Sequence, residues 1–150
     1  EGNPNAKIMF VGEAPGRQES ISGKPFVGRS GQFLTELMTS IGVKRKDVFI
    51  TSPVKYYPGM RAPTGKEISH GKVHLQKQIE IIDPKLIVLL GKVAGIGLLG
   101  RDLMISQAHG QTFKEKGRNY FVTFHPAAAI RFPKIRKLIE ADFKKLSRLI

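Results

Sequence analysis

Short apolar runs alternate with longer stretches of helical periodicity along the 150-residue chain. The apolar runs predict four strands, at residues 7–11, 48–51, 86–90 and 120–124. The third run, LIVLL, has no polar break, which is typical of a strand buried on both faces of a parallel sheet. Apolar residues spaced three and four apart predict helices over residues 31–41, 64–82, 91–99 and 133–150. This alternation predicts an α/β fold built on a doubly wound sheet.

Each predicted strand is followed by a loop of distinctive composition. The loops are GEAPG after the first strand, TSPVK after the second, GKVA after the third and HPAAAIR after the fourth. The carboxyl ends of parallel strands meet at one edge of a sheet, and ligands of such folds bind there. We therefore expect the binding site where these loops come together.

The first loop, GEAPGRQES, places two carboxylates in a tight turn. Gly12 and Gly16 permit a close approach of the backbone, and Pro15 stiffens the turn. Glu13 and Glu19 at the ligand edge suit activation of a water molecule or recognition of a polar group. A solvated loop position is the alternative interpretation of Glu19.

Two further loops carry ring side chains. Phe26, in GKPFVGRSG, either plugs the core or stacks on a nucleobase, and its spacing alone favours the plug. His125 follows the last strand and precedes small residues and Arg131, so it is a candidate donor to a developing oxyanion. His70 and His74 lie four apart on a predicted helix with no third ligand, which indicates surface residues and no metal site.

The charge of the chain predicts a polyanionic partner. There are 25 Lys and Arg residues against 12 Asp and Glu residues, a net charge of +13 and a pI near 10.2. This excess favours nucleic acid over a membrane surface. The loop KYYPGMRAPTGK places Lys55, Arg61 and Lys66 to contact phosphates and two tyrosines to stack or pack, although an irregular surface loop gives the same pattern.

Composition excludes several other classes. The absence of cysteine excludes disulfides, thiolate nucleophiles and thiolate-bound metal centres. No apolar run approaches the roughly 18 residues that span a membrane. Length and the lack of a linker predict one domain over residues 1–150, with an intracellular location as the default. Because the chain opens on Glu1 and not on Met, we expect that a preceding segment has been removed.

The motifs GEAPGxxE, GxPFVGxxG, ITxxVK, PKxIVxLG and HPAAAxR occur in this order between residues 7 and 145. Together they resemble the family 4 branch of the uracil-DNA glycosylase superfamily. The resemblance implies a three-layer α/β/α sandwich with a central four-stranded parallel sheet. It also implies a monofunctional, monomeric repair enzyme of the cytoplasm and nucleoid, which hydrolyses the N-glycosidic bond of uracil, or a related deaminated base, in single- or double-stranded DNA.

The same resemblance assigns roles to individual residues. The turn with Glu13 would hold the attacking water, Phe26 would stack on uracil, and His125 would donate to uracil O2. Glu19 would lie near the C5 edge and help exclude the methyl group of thymine. The implied substrate-binding residues are Gly12, Ala14, Gly16, Glu19, Phe26 and Ser52. The implied DNA-binding residues are Lys55, Arg61, Ala127, Ala128 and Arg131, the last three in a segment that fills the gap left by the flipped nucleotide.

The sequence departs from the family pattern at two features. Ser52 stands where the family carries an asparagine that reads the amide edge of uracil. The family also holds a [4Fe–4S] cluster on four cysteines, of which two would align with Tyr56 and Gly71 and the others would precede Glu1. We therefore expect no iron–sulfur cluster and no other cofactor. A non-catalytic DNA-binding module and an enzyme acting on free nucleotides remain as alternative functions.

Overall fold

A five-stranded sheet forms the centre of the computed structural model, which describes residues 1–150. Its strands are β1 (Ile8–Val11), β2 (Phe49–Thr51), β3 (Leu86–Leu90), β4 (Thr112–Glu115) and β5 (Arg118–Thr123). They are ordered β2-β1-β3-β5-β4. The first four in this order are mutually parallel, and β4 pairs antiparallel with β5.

Helices cover both faces of the sheet, so the three-layer α/β/α prediction is confirmed. One face packs against α2 (Arg29–Ser40), α6 (Pro126–Arg131) and α7 (Pro133–Leu146), and the other packs against α3 (Gly65–Ile82) and α4 (Lys92–Leu99). Alternate strand residues enter the two cores: Phe10 faces the first core, while Met9 and Val11 face the second. The short helices α1 (Arg17–Ser22) and α5 (Ile105–Ala108) and a 3-10 turn (Arg45–Asp47) complete the chain.

The prediction of four strands was wrong by one strand, β4. Its sequence, TFKE, alternates between exposed and half-buried positions and contains no apolar run. An edge strand of this kind buries too little apolar surface to show a hydrophobic pattern. The overlooked signal was the turn at Lys116 and Gly117, both at positive φ (49° and 78°), which joins β4 to β5 as a hairpin.

The register of the sheet brings the four predicted loops to one edge. Val11 lies beside Thr51, and Leu90 lies beside Thr123. Consequently β1, β2, β3 and β5 all end at the same level, and their following loops are neighbours. None of the helices combines the length and hydropathy needed to cross a bilayer.

Candidate active site

A cleft of about 270 Å³ opens at the shared edge of the parallel strands. Glu13, Phe26 and His125 all line it, although they come from three loops far apart in the sequence. Ser52 and Glu19 also lie in its wall. The structure therefore brings together the side chains that the sequence singled out for chemistry, base stacking and recognition.

His125 is held in one tautomer by the backbone that follows it. It is the N-cap of α6, and its Nδ1 accepts a hydrogen bond from the Ala127 N–H at 3.1 Å. Because Nδ1 is an acceptor, the proton of the neutral ring is on Nε2. Burial lowers the pKa of His125 to about 4, and the charge of Glu19 offsets this effect only in part. At neutral pH the side chain is therefore an uncharged Nε2–H donor.

Phe26 forms a wall of the cleft beside this histidine. The two rings are stacked, with centroids 5.6 Å apart and planes inclined by 28°. The phenylalanine ring lies directly over Gly12, where an added Cβ would be 2.6 Å from Cζ. Gly12 is thus required to be glycine, because any side chain there would displace the ring. Phe26 also contacts the first core, so the core-plug and cleft-wall interpretations both apply.

The backbone of Phe26 is held in an unfavourable conformation. Its φ is +52°, a left-handed value that is costly for a bulky residue. Arg45 fixes it from one side by donating to the carbonyl oxygens of Phe26, at 3.0 Å, and of Pro25. Gly31 permits this conformation on the other side, since a Cβ there would lie 2.0 Å from the Phe26 carbonyl. The position of the ring is therefore set before any ligand binds.

Glu19 supports the same loop. Its Oε1 accepts hydrogen bonds from the N–H groups of Val27 and Gly28, both at 2.8 Å, and its Oε2 lies beside Gly16. Burial raises the pKa of Glu19, but the backbone donors outweigh burial and hold the pKa below its usual value. The contacts assign Glu19 a positioning role, and its place at the C5 edge of a base stays a prediction.

Glu13 differs from Glu19 in having no partner. Burial is the one cause that shifts its pKa, and it shifts the pKa upward, because no hydrogen bond or ion pair stabilises the carboxylate. Its main chain is anchored on both sides: Gly12 N–H donates to Thr51 O at 2.9 Å, and Glu13 O accepts from Val54 N–H at 3.5 Å. An unpaired carboxylate facing a cleft is suited to accept a proton from water.

The residues after β2 divide between this cleft and a neighbouring cavity. The Ser52 hydroxyl donates to Val54 O at 2.6 Å and lines the cleft. Lys55 lines the neighbouring cavity instead, where its Nζ donates to Thr51 Oγ1 at 2.7 Å and Gln78 Oε1 at 2.8 Å. Burial lowers the pKa of Lys55 to about 8. Its contact with DNA stays a prediction.

The rim of the cleft is built from the loop before α3. Arg61 lines the cleft, but its guanidinium pairs with Glu67 through two contacts of 2.9 Å. Glu67 also accepts from Thr64 N–H at 2.7 Å in the predicted capping box. Arg61 therefore orders the rim in the free protein, and its binding to phosphate stays a prediction. Sequence reasoning missed Met60, which is fully exposed between two cleft-lining residues.

The opposite rim is formed by α6. Ala127 lines the cleft, Ala128 is half-buried, and Arg131 is exposed at the end of the helix. Phe132 follows with 53% of its surface exposed. The sequence signal that could have extended the predicted DNA-binding segment by one residue is the aromatic Phe132 directly after Arg131.

The two positions at which we expected the family cysteines do not fit a cluster. Tyr56 is about half exposed, and Gly71 packs so tightly that a Cβ there would lie 1.6 Å from Pro53 O. No three side chains of His, Asp or Glu gather as ligands for a metal ion. The loop is ordered by the Pro53–Gly71 contact and the Arg61–Glu67 pair.

Comparison of the sequence with known proteins identifies a matching family and several relatives. The model of the family described as the uracil DNA glycosylase superfamily matches residues 1–147. The type-4 uracil-DNA glycosylase of Sulfurisphaera tokodaii is 43% identical, over 99% of this chain and 72% of that protein. That of Archaeoglobus fulgidus is 41% identical, over 99% of this chain and 79% of that protein. The DNA polymerase of Bacillus phage SP01 is 30% identical, over all of this chain and 16% of the polymerase.

Proposed function

The chain belongs to the uracil-DNA glycosylase superfamily, and we propose that it hydrolyses the N-glycosidic bond of uracil, or of a related deaminated base, in DNA. The observation that carries this proposal is the convergence of Glu13, Phe26 and His125 on one cleft of about 270 Å³. The net charge of +13 supports a polyanionic substrate. Residues 1–150 act as one monomeric domain in this proposal.

A base inside a duplex cannot reach such a cleft, so the nucleotide is flipped out of the stack. Phe26 stacks on the extruded base, and stacking on an aromatic side chain contributes about 1–3 kcal/mol per base. Because Arg45 already holds the Phe26 backbone, which packs closely against Gly31, little ordering of this residue is needed on binding. Ala127, Ala128 and Arg131 fill the space that the nucleotide leaves, while Lys55 and Arg61 contact the DNA.

His125 stabilises the leaving base. As the bond between C1′ and N1 breaks, its electron pair passes to the uracil ring and charge develops on O2. The Nε2–H of His125 donates to that oxygen. A neutral donor with a lowered pKa suits this role, since it strengthens the hydrogen bond as charge develops without transferring a proton to the base.

Glu13 completes the reaction on the sugar. A water molecule held by its carboxylate adds to the electron-poor C1′ and gives its proton to Glu13, which leaves an abasic site. The turn of Gly12, Ala14 and Gly16 brings the backbone close to this water and the sugar, while Phe26 and Glu19 fill the space beside the two glycines. The chemistry uses only groups of this chain and water, and needs no cofactor.

The test is cleavage of uracil-containing oligonucleotides, single-stranded and with uracil opposite guanine or adenine. Treatment with alkali after incubation converts abasic sites into strand breaks, and hypoxanthine and xanthine substrates define the range of bases. We expect breaks at uracil with the wild-type protein and none with an oligonucleotide that carries thymine. Absence of breaks in every substrate, together with salt-sensitive DNA binding, would instead identify a non-catalytic DNA-binding module.

A further inference from the structure

The hydroxyl of Ser52 has only one way to interact with a bound base. Its Oγ lies 2.6 Å from Val54 O. A carbonyl oxygen can only accept, so the hydroxyl proton is committed to this hydrogen bond. What Ser52 presents to the cleft is therefore a pair of oxygen lone pairs, which accept a hydrogen bond and cannot donate one.

His125 presents the opposite polarity in the same cleft. Its Nδ1 is occupied by the Ala127 N–H, so its Nε2 is the donor. His125 and Ser52 thus place one donor and one acceptor on the wall of the same cleft. A carbonyl next to a ring N–H is the complementary edge, and uracil carries it on both sides of N3–H, at O2 and at O4. The proposed contact of His125 with O2 selects the O2 side.

From this arrangement we infer that the cleft recognises the O2–N3–H edge of a pyrimidine through His125 and Ser52, and that position 52 leaves O4 unrecognised. The inference rests on the proposed function. It defines the substrate class as pyrimidines that carry a protonated N3 beside O2, whatever acceptor stands at C4. Cytosine is excluded because its unprotonated N3 would face the lone pairs of Ser52, and two facing acceptors repel.

An asparagine at this position would behave differently. Its amide oxygen accepts from N3–H while its NH₂ group donates to O4, so both features of uracil are read at once. Loss of one such hydrogen bond changes binding by about tenfold. The serine therefore makes a specific and measurable difference: the wild-type protein should tolerate changes at O4 that a Ser52→Asn variant rejects.

Modified bases test the N3–H contact and the expected lack of an O4 contact separately, without altering the protein. 4-Thiouracil keeps N3–H and O2 but replaces O4 by sulfur, a weak acceptor, and 3-methyluracil removes the N3 donor. Cleavage rates of both are compared with uracil. Their affinities are measured in parallel as 2′-fluoro nucleotides, because an electron-withdrawing 2′-fluorine slows cleavage of the bond at C1′. The ratio of 4-thiouracil to uracil is then compared between wild type and Ser52→Asn, which cancels differences in leaving-group chemistry.

We expect wild type to bind uracil and 4-thiouracil within about threefold of each other, and 3-methyluracil at least about tenfold more weakly. In the Ser52→Asn variant the preference for uracil over 4-thiouracil should increase by about tenfold. A wild-type protein that cleaves uracil but binds 4-thiouracil tenfold more weakly would overturn this inference and leave the proposed function standing. A wild-type protein that binds these bases as expected but cleaves none of them would overturn the proposed function alone.

Discussion

Replacing Glu13 by glutamine removes the negative charge of the side chain and keeps its shape. The carboxylate has no hydrogen-bond or ion-pair partner in the chain, so the substitution breaks no contact of the folded protein. Loss of a positioned base typically slows a reaction by about 10²–10⁴-fold. At 1.36 kcal/mol per tenfold change, this corresponds to about 3–5 kcal/mol of the activation barrier. DNA affinity should stay within about threefold of wild type.

The same substitution should stabilise the fold at neutral pH. Because burial raises the pKa of Glu13 above its unfolded value, the folded state favours the protonated form. The stability due to this group is present below the unfolded pKa and is lost as pH rises through the folded pKa. A neutral glutamine avoids that loss. We expect the variant to have a higher melting temperature than wild type at pH 7 and no difference near pH 4.

Single-turnover cleavage of a uracil oligonucleotide between pH 5 and 9 tests the role of Glu13 as the base. Thermal unfolding at pH 4 and 7 tests the effect of its raised pKa on the stability of the fold. Wild-type cleavage should decline on the acid side as Glu13 gains a proton. The glutamine variant should show a low rate without that decline. A variant rate within tenfold of wild type, or an acid decline that persists unchanged in the variant, would refute the role of Glu13 as the base.

Five further substitutions, at four residues, separate structural roles from chemical roles around the cleft. Gly12→Ala pushes the Phe26 ring aside, so cleavage should fall by about tenfold or more while the melting temperature changes by a few degrees; an unaffected rate would contradict the contact. His125→Asn preserves an N-cap but shortens the donor, and should lose about 10²–10³-fold in cleavage. His125→Ala should lose as much activity and about 1 kcal/mol more stability; equal stability of the two variants in denaturant titrations would contradict the capping role. Arg61→Ala should reduce the slope of the salt dependence of DNA binding by about one, because the proposed contact of this guanidinium with DNA is lost. Glu67→Ala removes the carboxylate that pairs with Arg61 in the free protein and should strengthen DNA binding; an unchanged slope in Arg61→Ala would contradict the DNA contact.

The parallel strands and the long helices were accessible from the sequence because each leaves a local pattern. The LIVLL strand and the capping box at Thr64 and Glu67 appear in the structure where they were predicted. Strand β4 was missed because an edge strand is stabilised by pairing with β5 and not by burying an apolar run. Pairing of this kind is a tertiary property that local periodicity does not report.

The candidate site, like the fold, was predictable from the sequence only in part. Convergence of Glu13, Phe26 and His125 was predictable, since parallel strands end at a common edge. The state of each group was not. The tautomer of His125 depends on the Ala127 N–H, and the acceptor-only character of Ser52 depends on Val54 O. Both follow from hydrogen bonds of the folded loops, which residue identity alone does not specify.

Glu19 connects the turn at residues 12–16 with the loop that carries Phe26. One of its oxygens holds the amides of Val27 and Gly28, and the other lies against Gly16. Because both segments contact this one side chain, a displacement of either segment also displaces the other. Across homologous sequences, changes in the two segments should therefore occur as correlated pairs, and loop exchanges between relatives should retain function only when both segments and their shared carboxylate are transferred together.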